Sequence, residues 1–191
     1  MFERFTKDAR AVVLGAVDHA ERARAGEVTE EHLLLSLLDR KASRASFALA
    51  ALGLAAGERR DSVERALAEA RRRGGLSRAD TDALSGLGID LSQIVSRVEE
   101  AHGVGALESG GGGRWRRRLS GHRPFTRDAK DVLTRSLRTA HAHHDRHIGD
   151  EHLLLALTTR PGVPAEVLAD HGVTYEALER VLYGAGEAKA G

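Results

Sequence analysis

Two glutamates in matching surroundings are the residues of this sequence that most clearly could bind a ligand. Glu31 and Glu151 each precede a His-Leu-Leu-Leu run, at the point where a Leu-rich helix should begin. A carboxylate in a first helical turn can accept free backbone N–H groups and meets the positive end of the helix dipole. A carboxylate can also bind a guanidinium group through paired hydrogen bonds. From the residues alone, helix capping is the simpler role.

Two aromatic and two cationic side chains form a second candidate set. Phe2 and Phe125 lie at or just before the starts of matching helices, and Arg10 and Lys130 lie one turn further on. Aromatic rings flanked by cations suit peptide backbones and anionic groups. The alternative is that both rings belong to the core and both cations are solvated, as is usual for isolated residues of these types.

Histidines are concentrated before Ile148, at His141, His143, His144 and His147. His143 and His147 have the i, i+4 spacing that can hold a metal ion on a helix. A solvated helix end is the more common reason for such a cluster, so we predict no metal site. His32 and His152 adjoin apolar residues at the two helix starts, and we predict structural roles for them.

Signs of catalysis are missing from the sequence. It contains no cysteine, which excludes disulfides, thiolate metal sites and a cysteine nucleophile. No serine lies in a nucleophile-elbow motif, and no Gly-x-x-x-x-Gly-Lys-Ser/Thr phosphate loop occurs. We therefore expect no enzyme activity and no cofactor.

One segment, Arg114-Trp115-Arg116-Arg117-Arg118, combines cations with an aromatic ring after a run of four glycines. Proteins that bind single-stranded nucleic acid use both kinds of residue. A net charge of +1 gives no overall attraction to nucleic acid, and a single basic run beside glycines is typical of a solvated connector. Nucleic acid is therefore a partner that we do not favour.

The composition favours a helical, soluble protein. Hydrophobic residues make up 41% of the chain and aromatic residues only 4%, so the core must consist mainly of Leu, Ala and Val. Leu and Ala are strong helix formers, and only three prolines interrupt them. No segment has the length of a membrane span or the pattern of a signal peptide. We predict an all-α fold, a cytoplasmic location and no membrane partner.

The sequence repeats itself, and the repeat defines its layout. Phe5-Thr6-Lys7-Asp8-Ala9 recurs as Phe125-Thr126-Arg127-Asp128-Ala129, and the two Glu-His-Leu-Leu-Leu runs recur at the same spacing. Thr6 and Thr126 are good candidates for N-caps, and we predict left-handed C-caps at the glycines that end three short apolar segments. These glycines are Gly53, Gly88 and Gly172.

We predict two pseudo-symmetric helical repeats with a connector. Repeat one spans residues 1–105 and contains an inserted helical arm at about residues 55–83. A flexible Gly/Arg-rich linker spans residues 106–123, repeat two spans residues 124–184, and a tail follows at residues 185–191. Because two repeats can complete a shared core, we expect a monomer.

These motifs resemble the N-terminal repeat domain of the Clp (Hsp100) unfoldases, closest to the ClpC type. The resemblance rests on Met1-Phe2-Glu3-Arg4-Phe5-Thr6, on the paired Glu-His-Leu-Leu-Leu helices and on Pro124-Phe125-Thr126. In that family the domain precedes two ATPase rings and captures substrates or adaptors. Since no ATPase motif occurs in these 191 residues, we expect a stand-alone recognition domain.

The resemblance also implies binding sites. In the ClpC-type domain, acids matching Glu31 and Glu151 contact the guanidinium group of phosphoarginine. This chain has Glu30 and Asp150 before those acids, where the family usually has threonine, and their charge opposes a phosphate. The resemblance further implies a groove between the repeats that binds peptides and cyclic-peptide antibiotics, formed by Phe2, Arg10, Phe125 and Lys130.

The leading prediction is a non-enzymatic module that recognises proteins or peptides, including arginine-phosphorylated ones, in connection with Clp-dependent proteolysis. It would act as an adaptor, a decoy or a competitor, with substrates or Clp unfoldase and protease components as partners. An alternative is that the groove sequesters cyclic-peptide antibiotics. A third is a nucleic-acid-linked regulator that uses the linker arginines.

Overall fold

The fold is all-α, as the sequence predicts. The computed structural model describes residues 2–54, 57–107 and 123–184. These residues form a 3-10 turn at Phe2–Arg4 and ten α-helices, with two isolated β-bridges and no sheet among them. The helices are α1 (Lys7–Arg22), α2 (Glu30–Asp39), α3 (Arg44–Ala51), α4 (Glu58–Arg72), α5 (Arg78–Gly86), α6 (Leu91–His102), α7 (Arg127–Ala142), α8 (Asp150–Thr158), α9 (Val163–Asp170) and α10 (Tyr175–Leu182).

Side-chain caps and glycines set the helix ends. The hydroxyls of Thr6 and Thr126 accept the backbone N–H groups of Ala9 and Ala129, each at 3.1 Å, which confirms both predicted N-caps. The predicted C-cap glycines all have a left-handed backbone, with φ between +79° and +85°. They are Gly53, Gly88 and Gly172.

The two repeats interlock through the segments that precede their helices. Residues 4–6 pair with Ile148 through two backbone hydrogen bonds of 2.8 and 2.9 Å. Residues 124–126 pair with Val28 through two such bonds of 2.9 Å. Each repeat therefore supplies the backbone partner that the other repeat needs, because a buried N–H or C=O without a partner is costly.

The later helices cross between the repeats in the same symmetric way. Helix α4 packs against α9 of repeat two, and α10 packs against α3 of repeat one. By these contacts α4, which lies within the predicted arm at residues 55–83, packs on repeat two much as α10 packs on repeat one. Helices α5 and α6 follow α4 and pack mainly on each other, and the bounds of the arm stay a prediction.

Helices α2 and α8 lie at the centre of the core, as their uniformly apolar sequences predict. All side chains of α8 from Asp150 to Leu157 are buried. The largest fully buried side chains are Phe5, Leu33, Leu34, Leu37, Leu67, Ile148, Leu153, Leu154, Leu155, Leu157, Leu168 and Leu178. None of the described helices is long and apolar enough to cross a membrane.

Candidate functional site

Two histidines fix the starts of α2 and α8, where the candidate glutamates lie. His32 Nδ1 accepts the backbone N–H of Thr29 at 3.0 Å, and His152 Nδ1 accepts that of Gly149 at 2.8 Å. Burial lowers the pKa of His32 to about 4, and burial also lowers the pKa of His152. Both rings are neutral at neutral pH and carry their proton on Nε2, which is the structural role that the sequence predicts.

Glu151 is folded back over the start of α8. Its side chain is 5% exposed, and a Cβ atom added at Gly149 would lie 2.0 Å from its Oε2 atom. Arg44, the first residue of α3, donates from Nη1 to Oε1 of Glu151 at 2.9 Å. Burial raises the pKa of Glu151 to about 7, although Arg44 favours the charged form. A guanidinium group of repeat one thus holds an acid of repeat two.

Glu31 makes the corresponding contact with a different arginine. Arg71 of α4 donates from Nη1 to Oε1 of Glu31 at 2.5 Å, and the two side chains are 32% and 13% exposed. Thr29 occupies the place of Gly149 in this repeat, with its hydroxyl 2.8 Å from His32 Nδ1. Each of the two predicted phosphoarginine-binding acids therefore already binds a guanidinium group of the chain itself.

The two additional acids, Glu30 and Asp150, are paired or buried. Glu30 lies 3.5 Å from Arg160, and burial raises the pKa of Glu30 above its ordinary value. The same arginine binds Asp128 at 2.6 Å. Asp150 is 2% exposed, and its Oδ2 atom has no hydrogen-bond partner among the described residues. Neither acid is a freely solvated charge at the helix start.

Repeat two adds a hydrogen-bonded cluster that repeat one lacks. Asp145 accepts from His152 Nε2 at 3.1 Å and from the Tyr183 hydroxyl at 3.4 Å. The ring of His143 stacks on Tyr183 with centroids 3.8 Å apart, and burial raises the pKa of Tyr183 above its ordinary value. The position that corresponds to Asp145 in repeat one is Ala25, so the His32 Nε2 atom has no such acceptor.

Three members of this region have the spacing of metal ligands. One ligand atom each from Asp145, Glu151 and His152 lies within 4.8 Å of the others. Nδ1 of His152 already accepts a backbone N–H, and Oε1 of Glu151 accepts from Arg44. Hydrogen bonds within the protein account for the arrangement without a metal ion.

The predicted groove residues lie on the two paired entry segments and the helices that follow. Phe125 forms the bridge to Val28 and packs half-buried against the core. Arg10 and Lys130 are exposed, one turn into α1 and α7. The backbone of Phe2 begins the 3-10 turn, and its side chain lies outside what is described. The groove assignment stays a prediction.

The histidine cluster straddles the end of a helix rather than following one face. Helix α7 ends at Ala142, His143 is its C-cap, and His144 has a left-handed backbone with φ of +58°. His143 binds Glu179 at 2.8 Å, whereas His147 is exposed. The i, i+4 metal geometry of a helix does not form. The arginines at residues 114–118 lie outside the described residues.

Sequence reasoning missed the partners of the candidate acids. Arg44 and Arg71 reach Glu151 and Glu31 from helices that are far away in the chain. Only the helix packing brings them close, so no local pattern could have found them. The stacked Tyr183 carried no signal either, because repeat one has no tyrosine.

Comparison with known proteins gives one family and one fold. The family model for the Clp repeat (R) N-terminal domain matches residues 4–83 and 124–189. A similar solved structure is the crystal structure of the N-terminal domain of the caseinolytic protease associated chaperone ClpD from Arabidopsis thaliana. It has a TM-score of 0.51 and 16% identity, over 98% of this chain and 97% of that chain. At this identity the likeness concerns the fold alone.

Proposed function

Because this chain belongs to the Clp repeat N-terminal domain family, we propose that it is a recognition module for arginine-phosphorylated protein segments. Domains of this family bind protein substrates and adaptors. The module would act in connection with Clp-dependent proteolysis, as an adaptor, a decoy or a competitor, and it would do so without catalysis.

The observation that carries this proposal is the pair of carboxylates that each bind a guanidinium group. Glu31 binds Arg71 at 2.5 Å and Glu151 binds Arg44 at 2.9 Å, at equivalent places in two repeats. A phosphoarginine side chain offers the same guanidinium group, so it can replace the internal arginine on the same oxygen atoms. Both acids lie in a first helical turn, where the helix N-terminus favours a phosphate.

The neighbouring acids support the proposal through their placement. Glu30 is held by Arg160, and Asp150 is buried, so the charges that oppose a phosphate are largely withdrawn from the surface. The exposed parts of Arg44 and Arg71 stay beside the two helix starts. Each guanidinium group must leave its glutamate before phosphoarginine can bind to the same oxygen atoms.

The test is calorimetric titration of the protein with free phosphoarginine, with plain arginine as the control ligand. We expect about two phosphoarginine molecules per chain and much weaker binding of arginine. Glu31→Gln and Glu151→Gln should each remove one site, while Glu100→Gln, at an exposed position of α6, should leave both. Equal binding by the double variant and the wild type would exclude the two glutamates as the site.

A further inference from the structure

A cavity of about 370 Å³ lies where the second half of α7 meets the segment before α8. Three parts of the chain line it: Arg4 of the 3-10 turn, four residues of α7, and residues 145–148. The four residues of α7 are Leu137, Arg138, Ala140 and His141. Arg4 is fixed there because its carbonyl accepts the backbone N–H of Ile148 at 2.8 Å. The cavity is therefore a product of the pairing between the repeats, and its volume is that of a typical ligand pocket.

The rim of this cavity carries an excess of positive charge. Arg4, Arg138 and Arg146 are all exposed, and His141 and His147 add further donors. Across residues 2–54, 57–107 and 123–184, no carboxylate forms an ion pair with any of the three arginines.

The lining contains a single acid, and that acid is already engaged. Asp145 accepts hydrogen bonds from His152 and Tyr183, which belong to the cluster at the start of α8. Its Oδ2 atom is thus engaged by the interior cluster, while the side chain stays 36% exposed.

Outside the lining, the pKa of Asp131 is lowered mainly by its hydrogen bond to Arg135 and further by the charge of Arg138. Because no ion pair forms there, the guanidinium group of Arg138 stays available to a partner, as do those of Arg4 and Arg146.

The floor of the cavity is aliphatic. Leu137, Ala140 and Ile148 form it, and the last two are each 2% exposed. Burying an aliphatic side chain on such a floor is favourable, while the arginines above it bind carboxylates. The combination fits a ligand with an aliphatic group between negative charges.

Repeat one has acids at three of the positions that correspond to the basic lining of the cavity. The positions that correspond to Arg138, His141 and His147 are Asp18, Glu21 and Glu27. There the chain supplies its own cation: Arg123 lies 3.8 Å from Glu21 and also donates to the carbonyl oxygen of Ala25. The residue that corresponds to Arg123 is Glu3, which precedes α1 and is next to Arg4 in the chain. Within the described structure, Glu3 does not form an ion pair with the arginines of the cavity.

We propose that this cavity binds an acidic peptide segment of a partner protein, with an aliphatic side chain on the floor and flanking carboxylates on Arg4, Arg138 and Arg146. The site uses neither Glu31 nor Glu151, so it goes beyond the function proposed above. It gives the module a second, phosphorylation-independent contact with a bound protein.

The test is fluorescence anisotropy of the full chain with a fluorescein-labelled Glu-Glu-Leu-Glu-Glu peptide. Its matched probes are Gln-Gln-Leu-Gln-Gln, which lacks the charges, and Glu-Glu-Ser-Glu-Glu, which lacks the aliphatic group. We expect the first peptide to bind most tightly. Arg138→Gln with Arg146→Gln should weaken it by about tenfold, since each rim charge contributes up to about fivefold.

The control variant is Arg65→Gln with Arg97→Gln, which removes two exposed cations on α4 and α6. It should bind the acidic peptide as the wild type does. Arg4→Gln is a second variant of the cavity, and its backbone pairing with Ile148 does not involve the side chain.

If the cavity and control variants lost the same affinity for the acidic peptide, the peptide would be responding to net charge alone, and the proposal would be overturned. Equal binding of the three peptides would do the same. Full displacement of the peptide by equimolar inorganic phosphate would reassign the cavity to small anions. Phosphoarginine titration of the Arg138→Gln/Arg146→Gln variant should match the wild type, which separates this proposal from the one for the glutamates.

Discussion

At the scale of single residues, the carboxylates of the candidate site already have hydrogen-bond partners within the protein. Glu31 and Glu151 each hold an arginine of the chain, and two neutral histidines cap the helices that carry them. Internal guanidinium groups and an external one compete for the same oxygen atoms. The affinity for a ligand therefore depends on residues that never touch it.

Arg71→Gln should increase the affinity of the Glu31 site for phosphoarginine by about two- to fivefold. The variant removes a partly exposed ion pair that must break before the ligand binds, and such pairs contribute up to about 1 kcal/mol. Calorimetric titration in a Glu151→Gln background isolates this site. Arg65→Gln on the same helix is the control, and weaker binding by Arg71→Gln would mean that Arg71 assists the ligand.

The Glu151 site should lose affinity in acid. Its pKa of about 7 means that the carboxylate is mostly charged at pH 8 and mostly neutral at pH 6, and only the charged form pairs with a guanidinium group. We expect about a tenfold loss between these pH values. The measurement compares Glu31→Gln, which retains only this site, with Glu151→Gln, whose profile corrects for titration of the ligand.

His32 should make the protein sensitive to acid. Its pKa is about 4 when folded and about 6.5 when unfolded, so protonation favours the unfolded chain. The stabilisation is fully present above pH 6.5 and is lost as the pH falls through 4. Between pH 7.5 and 5, the free energy of unfolding should fall by roughly 2 kcal/mol more in the wild type than in His32→Asn, as measured by urea denaturation. Parallel slopes would contradict this.

At the scale of helices, each repeat packs one helix on the other repeat. Helix α4 packs on α9, and α10 packs on α3, so each repeat completes the core of the other. In contrast, α5 has no buried residue and α6 has only Leu91 and Val95. The α5–α6 pair is attached through ion pairs such as Arg72–Glu99 at 3.0 Å and Arg78–Asp170 at 2.7 Å.

Substitutions in α4 and in the α5–α6 pair should therefore differ sharply. Leu67→Ala in α4 and Leu178→Ala in α10 remove fully buried side chains, and each should cost about 2–5 kcal/mol of unfolding free energy. Leu87→Ala, at a residue that is 77% exposed, should change it by less than about 0.5 kcal/mol. Urea denaturation distinguishes the cases, and a small effect of Leu67→Ala would mean that α4 contributes little to the core.

The helices could be predicted from the sequence, but the contacts between distant helices could not. Thr6, Thr126 and the C-cap glycines act within one turn, so local chemistry reveals them. The packing of α4 on repeat two gave no clear signal, because α4 has a polar sequence with only three buried residues, Val63, Leu67 and Ala70. The positions of the candidate glutamates followed from the repeat, but the arginines that bind them depend on packing between distant helices.

At the scale of the whole molecule, neither repeat is a closed unit. Backbone bonds join residues 4–6 to Ile148 and residues 124–126 to Val28, and helices α4 and α10 join the two cores. The interface between the repeats therefore resembles the inside of one domain rather than a contact between two.

Residues 1–107 and 123–191 should fail to fold as separate fragments and should fold when mixed. Each fragment alone leaves unpaired backbone groups and an uncovered apolar helix, α3 or α9. Thermal unfolding followed by circular dichroism should give a cooperative transition only for the mixture. A cooperative transition in the isolated second fragment would contradict this view.

The pairing of residues 4–6 with Ile148 gives the molecule a built-in reporter of docking. The amide hydrogens of Thr6 and Ile148 bond to carbonyl groups at the other end of the chain, whereas the amides inside α1 and α8 bond within their own helices. Deuterium therefore enters at Thr6 and Ile148 whenever the repeats separate, even if every helix stays formed. The difference in exchange rate between these two amides and the helix amides measures the free energy that holds the halves together.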